Sequence, residues 1–288
     1  METISSEGHL RMEGKPRSTT GCGTPIGFYQ LDEDLAYILG FTFADGYVVR
    51  TSPTRYKLGW HLASHDEVLL QQIRNTLCTP ETVTYRKDGS VSLETTQDVA
   101  WLSAMELGVI PNKTRKLVCP DIPDNLLPHF VRGYFDGDGS VYERKQSGKT
   151  WLCSQIVCGT KSFLQEIGDR IKEQIYLIPK ILPHETIFRL TYNNMESAAL
   201  YRWLYYDGCL CLDRKRKVFE RWLMSHGGLN YGISICRICG KEYTKLSDRS
   251  PTCRGCKPLA RKHYDKTSRT YNWKKIQSEL ISDGKINK

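Results

Sequence analysis

The stretch Phe130–Ser140, FVRGYFDGDGS, ends an apolar run in two aspartates spaced by glycines, and Tyr37–Tyr47, YILGFTFADGY, repeats its layout 93 positions earlier. Gly40 answers Gly133, Asp45 answers Asp138, and Gly46 answers Gly139. Asp32 and Asp124 stand where N-caps belong, so two apolar helices are expected to begin there and to stop at the glycines beside Asp45 and Asp138. Gly40 and Gly133 remove side chains where two such helices would approach closely. A carboxylate at a helix C-terminus is opposed by the helix dipole, and two at one interface repel each other. Divalent ions held between Asp45 and Asp138 would compensate, and hard carboxylate oxygens suit Mg²⁺. One Asp-Gly pair is an ordinary turn; two matched copies with matched flanks call for another explanation.

The flanks do match. After Asp45-Gly46 come the strand-like YVVR and KLGWHLAS, a helical pattern HDEVLLQQIRNTL with apolar Val68, Leu69, Ile73 and Leu77, then TVTYRK, SVSLETT and a helix DVAWLSAMELG. Asp88-Gly89, between two alternating segments, is a hairpin signal. After Asp138-Gly139 the order recurs as SVYERK, WLCSQIVCG, the helix SFLQEIGDRIKEQI, KILPH, ETIFRLTYN and the helix MESAALYRWLYY. The fold class is therefore α+β, with two pseudo-symmetric αββαββα halves joined by a proline-containing linker. The expected divisions are a loose tail at 1–27, a first half at 28–118, a second half at 119–230 and a C-terminal module at 231–288.

Of the 288 residues, 41 are Lys or Arg and 32 are Asp or Glu, a formal net charge of +9. The last 53 residues hold 14 of the bases and 5 of the acids, which leaves 27 of each in the body of the chain. A short basic segment on a neutral body is an electrostatic footprint of nucleic-acid binding. No apolar run reaches the length that crosses a bilayer, and the polar N-terminus lacks the apolar core of a secretory signal, so an intracellular setting is expected, in the cytoplasm of a bacterium or phage-infected cell or in an organelle, with no membrane partner.

Four of the eleven cysteines form two CxxC pairs, Cys236 with Cys239 and Cys253 with Cys256, separated by 13 residues. Two such turns bring four thiolates to the corners of a tetrahedron, the geometry one structural Zn²⁺ prefers. So short a knuckle cannot bury its own core, and metal would supply much of its folding free energy. The other seven cysteines share no spacing and read as reduced thiols, mostly packed.

At ILGFTFADG (Ile38 to Gly46) and VRGYFDGDG (Val131 to Gly139) the chain resembles the LAGLIDADG homing endonucleases of the single-chain, two-motif kind. The resemblance covers roughly residues 28 to 225. It implies a saddle of two four-stranded sheets over a long double-stranded DNA target, in a monomer that needs no protein partner. It implies further that Asp45 and Asp138 bind two or more Mg²⁺ ions and cut one strand each across the minor groove, leaving 3′ extensions. The ligand role of the backbone carbonyl at position 44 is left open. Phe43 departs from the family pattern, which has an acid there, whereas Asp136 fills the matching place in the second motif. The family's water-positioning Gln on the second strand corresponds to Gln155, with His61 offered in the first half. Its basic residue after each half's last helix corresponds to Lys113 and Lys215, as a catalytic group or as a phosphate clamp.

Exposed strand residues would read DNA, with Arg50, Arg55, Lys57, Arg86, Arg144, Lys145, Lys149 and Arg189 as candidates. The C-terminal module reads as an accessory DNA-binding appendage, with phosphate contacts from Arg254, Lys257, Arg261 and Lys262 and a stacking role for Tyr264 or Trp273. The competing function is a non-cleaving DNA-binding regulator or an intron RNA maturase with the same fold. Degenerate relatives typically lose an acid, and this chain keeps both. An intein-embedded enzyme would need a splicing Cys or Ser at its start and a His-Asn end, neither of which is present.

Overall fold

The computed structural model describes residues 23–113, 115–245, 251–265 and 270–282, so most of the expected N-terminal tail lies outside the described residues. The first half runs α1 (Glu33–Ala44), β1 (Gly46–Ser52), β2 (Arg55–Ala63), α2 (Glu67–Thr76), β3 (Thr84–Tyr85), β4 (Ser90–Thr95) and α3 (Asp98–Glu106). The second runs α4 (Leu127–Asp138), β5 (Gly139–Gln146), β6 (Lys149–Cys158), α5 (Lys161–Ile175), β7 (Ile181–His184), β8 (Ile187–Asn193) and α6 (Met195–Leu204), followed by a further helix, α7 (Asp213–Ser225). Each half folds its strands into one four-stranded antiparallel sheet, in the orders β1-β2-β4-β3 and β5-β6-β8-β7. The Asp88-Gly89 turn links β3 to β4, with Gly89 at φ 80° and the Asp88 side chain accepting from the Ser90 amide at 3.0 Å.

Asp32 caps α1 through a bond from the Leu35 amide at 2.8 Å. Its expected counterpart does not do the same. Asp124 precedes α4 by three residues and accepts instead from Arg170 at 2.9 Å, while Pro128 starts the helix in the first turn, where its missing N–H costs nothing. Residues 35–43 of α1 are all buried, the mark of a helix enclosed on every side rather than amphipathic.

α1 and α4 cross backbone against backbone. A Cβ on Gly40 would lie 1.9 Å from the Phe130 carbonyl oxygen, and one on Gly133 would lie 1.9 Å from that of Tyr37. The partners are themselves related by 93 positions, so the contact obeys the two-fold relation read from the sequence. A single core runs from Phe28 through Leu223 and spans both halves, which are thus lobes of one packed body. From α2 and its C-cap the core takes Leu69, Leu70, Ile73 and Leu77, whereas Val68, expected among them, is exposed.

The C-terminal module has its own small core of Cys236, Ile238, Ala260, Ile276 and Leu280. It comprises the hairpin β9 (Ile233–Ile235) and β10 (Glu242–Thr244), α8 (Lys257–Lys262), the short pair β11 (Tyr264–Asp265) and β12 (Thr270–Tyr271), and α9 (Trp273–Ser282). It docks on the second half: Arg202 of α6 donates to the carbonyl of Tyr231, the module's first residue, at 2.8 Å, and to that of Leu229 just before it at 3.2 Å, and the Arg254 guanidinium lies 4.5 Å from the Tyr176 ring centroid.

Because no rotamer relieves a Cβ pressed on a carbonyl, Gly40→Ala and Gly133→Ala are each expected to destabilise the protein by at least about 3 kcal/mol, the upper part of the overpacking range. Urea unfolding of the two variants against the wild type checks this.

Candidate active site

The crossing delivers both motif carboxylates to one place. α1 ends at Ala44 and Asp45 is its C-cap; α4 ends at Asp138 with Gly139 as C-cap. Asp45 reaches across to the other helix, its Cγ and Oδ2 each 3.3 Å from where a Cβ on Gly137 would stand. Gly137 is thus the space into which the neighbouring half's carboxylate fits. Burial pushes the Asp138 carboxyl up to about 6, the Asp45 charge adds to the rise, and Lys113 opposes it. The Asp45 carboxyl is also raised, chiefly by burial, with Lys215, Lys113 and Arg214 pulling it back. Two hard carboxylates held together at cost, with carbonyl oxygens beside them, form a donor set that fits a hard divalent cation.

Lys113 and Lys215 occupy matching positions by different routes. Lys113 lies in the linker after α3, and its Nζ donates to the carbonyls of Thr42 at 3.1 Å, Ala44 at 2.8 Å and Gly46. Lys215 comes from the first turn of α7, and its Nζ donates to the carbonyls of Phe135 at 2.9 Å, Asp136 at 2.5 Å, Gly137 at 3.0 Å and Gly139 at 2.5 Å. Thr42, Ala44 and Gly46 map onto Phe135, Gly137 and Gly139 by the 93-residue offset. Each lysine therefore satisfies the orphan carbonyls at the end of one motif helix and sets a positive charge beneath its aspartate. Burial pushes both ammonium groups down to about 8, against the pull of Asp138 and Asp45 on Lys113 and of Asp136 on Lys215.

The odd residue of the motif pair explains itself. Asp136 is fully buried and accepts from the Tyr37 hydroxyl at 2.9 Å, the Tyr205 hydroxyl at 2.8 Å and the Leu212 amide at 2.7 Å. Arg132, one turn earlier, donates to the Leu204 and Leu210 carbonyls, both at 2.8 Å, and its guanidinium lies over the Tyr37 and Tyr206 rings. Together they clasp the 205–212 segment that leads into α7 and so to Lys215. In the first half the corresponding side chains are Leu39 and Phe43, both buried, and Phe43 packs on Phe130 and Phe163.

Gln155 lies on β6 opposite Ser140 and Thr191, on the open face of its sheet. The register mate of Gln155 is Gly59, because Tyr47 faces Gly59 as Ser140 faces Gln155. His61 stands two residues further along β2, exposed, with Nε2 bonded to the Ser90 hydroxyl. At Gly59 the space is filled by the Tyr47 ring, 2.7 Å from a built Cβ.

Strand alternation sorts the basic candidates. Arg55, Lys57 and Arg86 lie on the open face of the first sheet, and Arg144, Lys149 and Arg189 on that of the second. Arg50 pairs with Tyr56 and shares the helix-covered face of Val48, where its guanidinium bonds the Ser52 and Pro53 carbonyls at 3.0 and 2.7 Å. Lys145 pairs with Thr150 on the corresponding side of the second sheet. Lys57 binds Glu94 at 2.8 Å, and Arg86 lies 3.8 Å from the same carboxylate.

In the module, the four sulfur atoms of Cys236, Cys239, Cys253 and Cys256 all lie within 4.8 Å of one another, and Cys239 and Cys253 are 3.8 Å apart. A tetrahedral ion with metal–sulfur bonds of about 2.3 Å holds its ligands about 3.8 Å apart, so the cluster fits a metal ion. Lys257 and Arg261 are exposed, Lys262 pairs with Glu279 at 2.8 Å, and Arg254 is engaged with Tyr176. Trp273 packs against Tyr271 and the module core; Tyr264 stands 37 % exposed with its ring on Tyr271.

Sequence reading missed Asp66 and Arg214, which join the halves beside the site in a two-pronged ion pair at 3.0–3.1 Å. They are 148 residues apart and carry no motif, and the helix that bears Arg214 reads as an ordinary charged segment.

The class this architecture defines is the LAGLIDADG homing endonuclease fold in its single-chain, two-motif form. Among solved structures, the chain is similar to the meganuclease I-SmaMI bound to uncleavable DNA with a TTCT central four, at 11 % identity and a TM-score of 0.50 over 67 % of this chain and 92 % of that one. It is also similar to the LAGLIDADG meganuclease I-AabMI bound to uncleaved DNA, at 10 % identity and a TM-score of 0.48 over 69 % and 94 %. No family model matches the sequence, and no curated protein matches it either.

The two kinds of motif carboxylate should respond oppositely to removal. Asp136→Ala leaves two hydroxyls and an amide without their acceptor and is expected to cost at least about 3 kcal/mol. Asp138, whose folded pKa of about 6 lies above the ordinary 3.8, withdraws stability as pH rises through that range. Asp138→Asn should therefore raise the urea midpoint at pH 7 without added Mg²⁺, and leave it unchanged in acid where the wild-type carboxyl is already protonated.

Proposed function

We propose that this chain is a site-specific endonuclease for double-stranded DNA, acting as a monomer inside a cell. The observation that carries the reading is the seating of the Asp45 carboxylate over Gly137, beside Asp138, at the ends of two helices crossed through glycine. A fold that needed only two packed helices would end them in neutral or basic residues, which the helix dipole favours.

In this reading Asp45 and Asp138 would hold Mg²⁺ ions between them. Ions bound there would supply an acidified water and charge neutralisation at the scissile phosphate. Lys113 and Lys215 keep the carbonyls of the last turns in place, fix the two carboxylates relative to each other, and leave positive charge where a phosphate would sit. Gln155, half-buried on its strand, would orient a water; in the first half Gly59, filled by Tyr47, holds the matching register position, and His61 two residues along β2 would be the nearest polar side chain of that strand on the same face. Arg55, Lys57, Arg86, Arg144, Lys149 and Arg189 would face the duplex, with cutting across the minor groove and 3′ extensions as the family resemblance implies. The four-cysteine cluster would hold one Zn²⁺, and the module would extend the footprint through Lys257, Arg261 and Lys262.

The test is cleavage of a random-target duplex library with Mg²⁺ and with Ca²⁺. A unique double-strand cut with Mg²⁺, abolished or reduced to a nick by Asp45→Asn or Asp138→Asn, is the expected result. A protein that enriches one sequence and never cuts it would be a non-cleaving regulator or a maturase. For the module, native mass spectrometry is expected to find one zinc per chain and to lose it in Cys239→Ser, with footprint length shortened on one side only.

A further inference from the structure

Asp66 closes the single 3-10 turn Ser64–Asp66 after β2 and is 7 % exposed. The charge opposite it comes from the other half: Arg214, in the first turn of α7, donates from Nε to both carboxylate oxygens at 3.1 Å and from Nη2 to Oδ2 at 3.0 Å. These atoms form one edge of the guanidinium plane. The remaining nitrogen, Nη1, donates to no described residue, and the side chain is half exposed.

Arg214 lines a cavity of about 340 Å³ together with Gly137, Gly139, Ser140, Lys215 and Val218. Beside the glycines and the serine the wall has the two valines Val141 and Val218, and both charged side chains in it are cations. Arg214 also lies close enough to Asp45 to pull its carboxyl downward. Among the described residues the first half has no such locked fork: Asn112 precedes Lys113 where Arg214 precedes Lys215, and Arg115 packs on Gly159, the position matching Asp66, which offers no carboxylate to hold it. A guanidinium locked along one edge presents the other with little further loss of freedom, which suits recognition of a phosphate.

We infer that Arg214 contacts a backbone phosphate of the bound duplex through its free Nη1 edge, that Asp66 is the positioning residue holding the fork, and that this contact serves one strand only. The inference rests on the proposed DNA-cleaving function and names a residue beyond its carboxylates and lysines.

The test has a binding arm and a cutting arm. In the binding arm, affinity for the duplex is measured against salt with Ca²⁺ present; Arg214→Gln should reduce the slope of log affinity against log salt by about one. The double variant Asp66→Asn/Arg214→Gln leaves no unpaired buried carboxylate and should show the same reduction with the fold retained. In the cutting arm, with supercoiled plasmid and Mg²⁺, Arg214→Gln should slow one strand about 100-fold or more and accumulate nicked circles. Arg214→Lys keeps the charge, and so the slope, but loses the fork and should still accumulate nicks. An unchanged slope in Arg214→Gln and in the double variant, or equal slowing of both strands, overturns the inference and leaves the pair a link between halves. If the wild type binds and never cuts, the cleavage reading fails while the slope still decides the phosphate contact. A wild type that binds no duplex overturns both.

Discussion

Everything near the centre of this protein follows from two helices meeting without side chains between them. The approach is possible only because Gly40 faces the Phe130 carbonyl and Gly133 faces that of Tyr37. Once the backbones are that close, both helices must end at the same depth, and their unpaired carbonyls and terminal aspartates fall together. A cation then becomes obligatory at each end, and Lys113 and Lys215 fill that need from unrelated parts of the chain. The sheets inherit their placement from the same event, since β1 and β5 start at the glycines that follow the two aspartates.

Much of this was legible in the sequence because the repeat carried two independent signals at one spacing, the glycine-aspartate motif and the order of strands and helices around it. The element order of both halves and the Asp88-Gly89 hairpin followed from local chemistry, and so did the cap at Asp32. What failed depended on chain path. Asp124 has the right chemistry for a cap but sits three residues early, with Pro128 setting the helix start. The face taken by Arg50 and Lys145 depended on strand register, since alternation from Val48 and the pairing with Thr150 put them on the helix-covered sides of their sheets. The pairing of Asp66 with Arg214 was out of reach, since only packing of the finished halves brings residues 148 positions apart together. Likewise α7 lay hidden in a segment whose charge density masks its buried face of Phe219, Trp222 and Leu223.

The motif carries two aspartates with opposite physical meanings. Asp136 is surrounded by donors and serves as a joint: remove it and two tyrosines and the approach to α7 lose their common partner. Asp138 has burial and a neighbouring carboxylate working against its charge, the imbalance expected of a group kept for what it can bind rather than for what it holds together. Two positions apart on one helix, they point into different surroundings, and the same alternation lets one short motif serve structure and chemistry together.

The clasp made by Arg132 and Asp136 exists in one half only, while its counterpart positions, Leu39 and Phe43, have become plain core. The open faces differ likewise: Tyr47, Gly59 and Glu94 in one sheet stand where Ser140, Gln155 and Thr191 stand in the other. A homodimer built on the same plan could not do this, because every substitution would appear twice. Fusing the copies frees each to diverge, and a ligand laid across both sheets meets two unlike surfaces, a shape suited to a nucleotide sequence that is not a palindrome.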